Sequence, residues 1–170
     1  MIHPELKLIN DGVLRVKASK VEAMDQEVFD LIQRMIRVMV EAGGIGLAAN
    51  QVGSNLSIFV TNINGKQDVF VNPEIIERSE PIFFMEGCLS VPGVRDQTNR
   101  FNRVVMTYTT PEAMQYTIRE EFEGTPAVVM QHETDHLDGK LYIDSFAQYR
   151  KSMALKKCKK TIKLYTQEKK

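Results

Sequence analysis

The chain has 170 residues, no formal net charge at pH 7, 43% hydrophobic residues and 26% charged ones. That balance suits one soluble globular domain around a single core, and it excludes a disordered or low-complexity chain. No apolar run approaches the ~20 residues that span a bilayer, and the first ten residues have neither signal-peptide nor transit-peptide character. The expected location is therefore cytoplasmic, or organellar if a targeting peptide has been removed. Neither a membrane nor DNA is expected as a partner.

In chain order, residues 21–41 read as a helix. Val28, Leu31, Ile32, Met35 and Met39 recur at helical spacing and form one apolar stripe, which Gly43 and Gly44 then stop. The middle of the chain is strand-like. Residues 57–61 and 69–71 flank Asn64-Gly65, a strong hairpin signal, while Pro73, Pro81 and Pro92 are expected to cut this region into short pieces. Residues 104–109 are β-branched and aromatic. Tyr116, Ile118 and Phe122 mostly alternate with polar residues, as in a half-buried antiparallel strand. Thr125-Pro126 then opens a second helix, with Thr125 as N-cap and Pro126 in the first turn. Ala127, Val128, Val129 and Met130 leave it no polar face, so it is expected to be buried, and Gly139 is placed to end it.

From Arg150 to Lys170 there are nine Lys or Arg and one acidic residue, a net of +8, so the first 149 residues carry −8. An acidic body with a basic tail suggests that the tail meets a polyanion. Leu155, Cys158, Ile162 and Tyr165 follow helical spacing within it, which predicts an amphipathic helix with its lysines outward. The fold class is α+β: short antiparallel strands around a central buried helix, with an N-terminal helix and a basic C-terminal one. Residues 1–146 are expected to form one domain and residues 147–170 a basic helical extension.

The chemistry is concentrated in Gln131-His132-Glu133-Thr134-Asp135-His136, which holds two of the three histidines. On a helix, His132 and His136 share one face a turn apart, a spacing that suits two nitrogen ligands on one metal with Glu133 beside them as proton carrier. A catalytic site of this kind takes a third protein ligand. The position of a third histidine in one protease class holds Tyr142, and the single glutamate after His136 is Glu168, in the lysine-rich tail. His3, near the N-terminus, reads as a surface residue. Of the two cysteines, Cys158 sits among lysines and reads as an ordinary tail residue. Cys88, beside Gly87, is the remaining candidate, since a metal would hold it as thiolate. Asp135 is expected to form a buried ion pair with an arginine such as Arg100.

Three segments together resemble the peptide deformylase family. They are Gly44-Ile45-Gly46-Leu47-Ala48-Ala49-Asn50-Gln51, Glu86-Gly87-Cys88-Leu89-Ser90 and Gln131-His132-Glu133-Thr134-Asp135-His136. Their order and spacing fit, and the resemblance covers roughly residues 9–146. It implies a metal-dependent hydrolase that removes the formyl group from N-terminal formylmethionine of nascent polypeptides and releases formate. It further implies that Cys88, His132 and His136 hold one divalent metal, ferrous iron in the cell, with zinc, nickel or cobalt as replacements. Metal-activated water would attack the formyl carbon, with Glu133 as general base and then general acid. The metal, the Gln51 amide and the Leu89 backbone N–H would stabilise the developing oxyanion.

Gly44 and Gly46 would let an extended peptide approach closely, with Ile45 and Val129 against the methionine side chain. The expected partners are N-formylmethionyl peptides and, through the basic tail, the ribosome. The competing enzyme reading is a zinc endopeptidase of the His-Glu-x-x-His type.

Overall fold

The computed structural model describes residues 2–167, so the last three residues of the basic tail lie outside the described part. Three helices and a five-stranded antiparallel sheet make up the fold. The helices are α1 (Gln26–Glu41), α2 (Thr125–Leu137) and α3 (Gln148–Gln167), and the strands are β1 (Gly46–Ala48), β2 (Ile58–Ile63), β3 (Lys66–Cys88), β4 (Val91–Thr109) and β5 (Ile118–Glu123). Strand order in the sheet follows the chain, β1 to β5, so each strand pairs with its sequence neighbour. No helix among the described residues is long and apolar enough to cross a membrane.

The α1 stripe packs as its spacing predicts. Val28, Leu31, Ile32, Met35, Val38 and Met39 are buried against Leu47, Ile58, Val60 and Val71 of the sheet. The helix begins five residues later than its periodicity suggests, because Asp25 caps it by accepting the Val28 N–H at 2.9 Å. Val21 is instead extended, held by Asn72, whose side chain bonds both its N–H and its C=O. At the other end, Gly43 adopts φ +69°, and Gly44 returns a hydrogen bond to Met39.

The Asn64-Gly65 hairpin is present, with both residues at positive φ. The prolines, however, do not cut the middle into short pieces: β3 runs for 23 residues and β4 for 19. Pro73 lies where the β3–β4 register shifts, between Val71 and Glu74. Beyond Val71, β3 pairs with β4 alone, so Pro81 sits on an edge where no partner needs its missing N–H. Pro92 falls in the irregular stretch between the Cys88–Val91 and Gly87–Arg95 pairs. Tyr116 lies in the turn before β5 and is exposed.

Helix α2 starts one residue earlier than its sequence suggests: Gly124, at φ +67°, is the N-cap, and Thr125 is already helical. Its C-terminus is a Schellman motif, in which Gly139 N–H bonds His136 C=O at 3.0 Å and Lys140 N–H bonds Asp135 C=O at 2.8 Å. A side chain at Gly139 would also strike the Arg15 backbone, at 2.8 Å. Ala127, Val128, Val129 and Met130 are all buried, so α2 is inserted into the body as its composition requires.

Helix α3 docks Ala154 and Cys158 against Val91, Val94, Leu141 and Ile143, with Leu155 and Ile162 partly covered. Cys158 is thus a fully buried core residue rather than an ordinary tail position. His3 is also less free than its place in the chain suggests, being largely covered and 2.8 Å from Glu41. Asp144 ties the segments around α3 together: it accepts from the Leu141 N–H, Arg15 and Lys151.

Burial opposes ionisation of Asp144, but Lys151, the Leu141 N–H and Arg15 outweigh it and hold the carboxyl below its ordinary 3.8. A depressed folded-state pKa contributes stability above the unfolded value, and that contribution disappears as pH falls through the folded one. Asp144→Ala is therefore expected to lower stability by about 1.5–3 kcal/mol at pH 7. The gap should narrow below pH ~4, measured by urea unfolding at both pH values; a constant gap would exclude the charge-linked part.

Candidate metal centre

Helix α2 carries His132, Glu133 and His136, and the end of β3 carries Cys88. One ligand atom from each of Cys88, His132 and His136 lies within 4.8 Å of the others, and Cys88 Sγ is 3.2 Å from His136 Nε2. Bonds of ~2.0–2.3 Å to a single ion would draw such donors slightly closer together. The donor set, one thiol sulfur and two imidazoles, suits a divalent transition metal.

Glu86 prepares one of these imidazoles. It lies two residues before Cys88 on β3 and is 5% exposed. The β3–β4 register places Glu86 opposite Asp96, Phe84 opposite Thr98 and Ile82 opposite Arg100. Thr98 and Arg100 therefore share the Glu86 face. Arg100 donates to it twice, from Nε at 2.7 Å and from a terminal nitrogen at 3.1 Å, and Thr98 donates from its hydroxyl. His132 Nδ1 is 2.6 Å from the same carboxylate. Because a carboxylate only accepts, Nδ1 carries the proton and Nε2 is the ring nitrogen left for a metal. Arg100 also reaches Asp135 at 2.6 Å, the ion pair expected from the sequence, although the Asp135 end is half-buried rather than buried.

The electrostatics separate these groups. Burial favours a neutral Glu86, but hydrogen bonds from His132 and Arg100 prevail and hold it at about 2. Burial also opposes charge on His132, where hydrogen bonds to Cys88 and Glu86 win and raise its pKa. His136 is pushed well down by burial, with His132 and Arg100 adding to the effect, so its ring is neutral. Burial lifts Glu133 to about 7, against the pull of His132 and with the Glu86 charge assisting. Glu133 Oε2 and His136 Nδ1 are buried without a hydrogen-bond partner among the described residues.

The first sequence segment closes over this cluster. Gln51 sits in a short 3-10 helix, Ala49–Val52, and is 2% exposed. Its Oε1 accepts the Ala48 N–H at 2.9 Å, which turns Nε2 toward Ser90 Oγ at 3.1 Å and Cys88 Sγ at 3.6 Å. The neighbouring Asn50 donates from its side chain to the His136 C=O, joining this turn to the end of α2.

The glycines have internal neighbours as well as any external one. A Cβ on Gly46 would collide with Glu133, whose Cδ would lie 2.9 Å away. One on Gly44 would sit 2.8 Å from Leu89 Cδ1. A cleft of about 880 Å³ runs over the cluster, and Ile45, Gln51, Leu89, Val129, His132 and Glu133 are among its lining residues. The structure thus brings together every site residue named from the sequence. Tyr142 stays outside the donor set, with its hydroxyl directed to the Val94 C=O at 3.1 Å. Glu86 is the functional side chain that sequence reasoning passed over. Its signal was an acidic residue beside a candidate ligand, the kind of group that orients a metal-binding histidine.

Partly buried Cys88 and the two imidazoles, with Glu133 beside them under an open cleft, have the make-up of a metal-dependent hydrolase site. The family model of polypeptide deformylase matches residues 4–152. The peptide deformylase of Aquifex aeolicus is 40% identical over 167 residues, spanning 94% of this chain and 96% of the relative. The crystal structure of the Legionella pneumophila enzyme superposes with a TM-score of 0.91 at 36% identity, covering 95% of this chain and 96% of that one. A peptide deformylase from Acinetobacter baumannii with Met-Ala-Ser bound superposes at 0.78 with 31% identity, covering 86% of this chain and 99% of that one. The chain belongs to the polypeptide deformylase family, and its fold is that of peptide deformylase structures.

Glu86→Gln is expected to lower metal affinity about 10- to 100-fold by releasing the His132 ring. Competition with a chromogenic chelator measures this, and unchanged affinity would remove Glu86 from the metal-orienting role.

Proposed function

We propose that this enzyme hydrolyses the formyl amide of N-terminal formylmethionine on nascent polypeptides, releasing formate and a free amine. The observation that carries the reading is the convergence of Glu133, Gln51 and the Cys88-His132-His136 donors in one cleft of a chain from the deformylase family. We propose Cys88, His132 and His136 as the ligands of one divalent ion, ferrous iron in the cell, with zinc, nickel or cobalt able to replace it. Such an ion supplies the Lewis acidity that brings water toward ionisation near neutral pH. A ferrous ion held by this thiolate would make the site oxygen-sensitive, with the half-buried Cys88 as its liability.

The protein's own groups then manage the proton and the charge. Glu133 takes a proton from the attacking water, holds it in a buried position and delivers it to the nitrogen as the C–N bond breaks. Gln51 Nε2 and the Leu89 backbone N–H donate to the formyl oxygen as negative charge builds there. Among the described residues no strand pairs with the edge of β1 opposite β2, and an extended peptide adds there as in strand addition. Ile45 and Val129, with Gly44 and Gly46 leaving room for the backbone, line the place of the methionine side chain. The family match and the engagement of Tyr142 by Val94 both disfavour the endopeptidase alternative.

We also propose a ribosomal contact for α3, whose Lys156, Lys157, Lys159, Lys160 and Lys163 are exposed. The chain should co-sediment with ribosomes at low salt and be released as salt rises; salt-independent pelleting, or none, would exclude it.

Formyl-Met-Ala-Ser is expected to release formate, while an internally quenched unformylated peptide stays intact. Glu133→Ala, purified anaerobically, should keep its metal and lose about 10²- to 10⁴-fold in turnover. Gln51→Leu should lower kcat about 10²- to 10³-fold. Peptide cleavage without formate release would refute the assignment.

A further inference from the structure

The cleft does not end at the Cys88-His132-His136 cluster. Past Gly87 and Leu89 it continues along Pro92, Gly93, Val94 and Arg95 to Lys157 of α3. A second depression of about 500 Å³ shares Val94, Arg95 and Lys157 with it and extends the groove between the β4 rim and the outer face of α3. The wall formed by α3 is held in place. Arg150 donates to Asp96 at 2.7 Å and to the Gln97 C=O at 2.8 Å. Thr161 packs so tightly on Gly93, at φ +78°, that its Cβ would lie 3.0 Å from any side chain there.

The charge along this extension is one-sided. Arg95, Lys156, Lys157 and Lys160 line it together with Arg150, and the single acidic side chain among its lining residues, Asp96, is engaged by Arg150. Arg95 and Lys157 are both exposed. Lys157 lies beyond the residues matched by the family model.

Given the deformylase reading, we infer that Arg95 and Lys157 form a specificity element that favours substrates with acidic side chains from the third residue onward. A peptide whose formyl end lies at Glu133 and whose chain leaves toward the β4 rim passes this pair. Solvent-exposed ion pairs are individually weak, so the selection is graded and is screened by salt.

The test compares kcat/KM for formyl-Met-Ala-Asp-Glu and formyl-Met-Ala-Lys-Lys, with formyl-Met-Ala-Ser as reference. The expected preference for the acidic peptide is roughly three- to tenfold at low salt, carried by KM rather than kcat, and approaching unity at about 0.5 M salt. Lys157→Glu should erase or reverse the preference. Lys163→Glu, an equal charge change on the same helix outside the groove, should leave it intact. A wild-type ratio near one would overturn the inference, as would a Lys163→Glu shift as large as that of Lys157→Glu. Failure to deformylate formyl-Met-Ala-Ser would instead overturn the deformylase reading itself.

Discussion

The centre of this protein depends on one buried carboxylate. Glu86 meets Arg100 and Thr98 of β4 and His132 of α2, and Arg100 in turn holds Asp135 of α2. Two strands and a helix are thereby joined through charged groups taken out of water. Such a network contributes little over an apolar packing of the same volume, but removing one member leaves a charge uncompensated, at a cost of ~3–5 kcal/mol. Its value lies in specification. It fixes which His132 nitrogen faces the site and sets the rotation of α2 that brings His136 Nε2 to Cys88.

The strands exist in this form because of where that carboxylate must be. β3 pairs with β2 over its first six residues and then passes to β4. It therefore belongs both to the layer that buries α1 and to the layer that surrounds α2. The continuous strand carries Glu86 and Cys88 at its far end, delivering two groups of the site from one backbone. The prolines are compatible with this because each falls at a bulge or on an edge that offers no partner. Gly46 completes the enclosure from the other side: the absence of its side chain leaves the volume that Glu133 occupies.

Much of this was legible in the residues. The α1 stripe, the Asn64-Gly65 turn, the all-apolar start of α2 and the glycine beyond its end each express a local rule of spacing or dihedral preference. Such rules hold wherever the segment is placed. The clustering of Cys88, His132 and His136 was legible too, because two histidines four apart call for a third partner and few residues qualified. The length of β3 and β4 was not legible. A proline is a strand breaker only where its missing N–H faces a partner, and which edge is free is a property of the whole sheet. The start of α1 depended on Asp25 winning the cap while Asn72, far along the chain, held Val21 extended. Cys158 read as an ordinary tail residue when taken with its lysine neighbours, while its place on the apolar stripe of α3 already pointed to the buried face that it shows.

The sequence by itself determined the inventory: which segments are helical, which residues supply sulfur and imidazole nitrogen, which carboxylate stands beside them, and to which family their order corresponds. Those follow from spacing and side-chain chemistry, both local. The tertiary structure alone decided how that inventory acts. The β3–β4 register put Glu86 on the face of Arg100 and Thr98, and α2 then presented His132 to it. The docking of α3 extended the cleft with a basic wall. Each of these couples residues distant in the chain, and hydrogen-bond registry between strands and the burial of a charge are defined only once all the partners are in place.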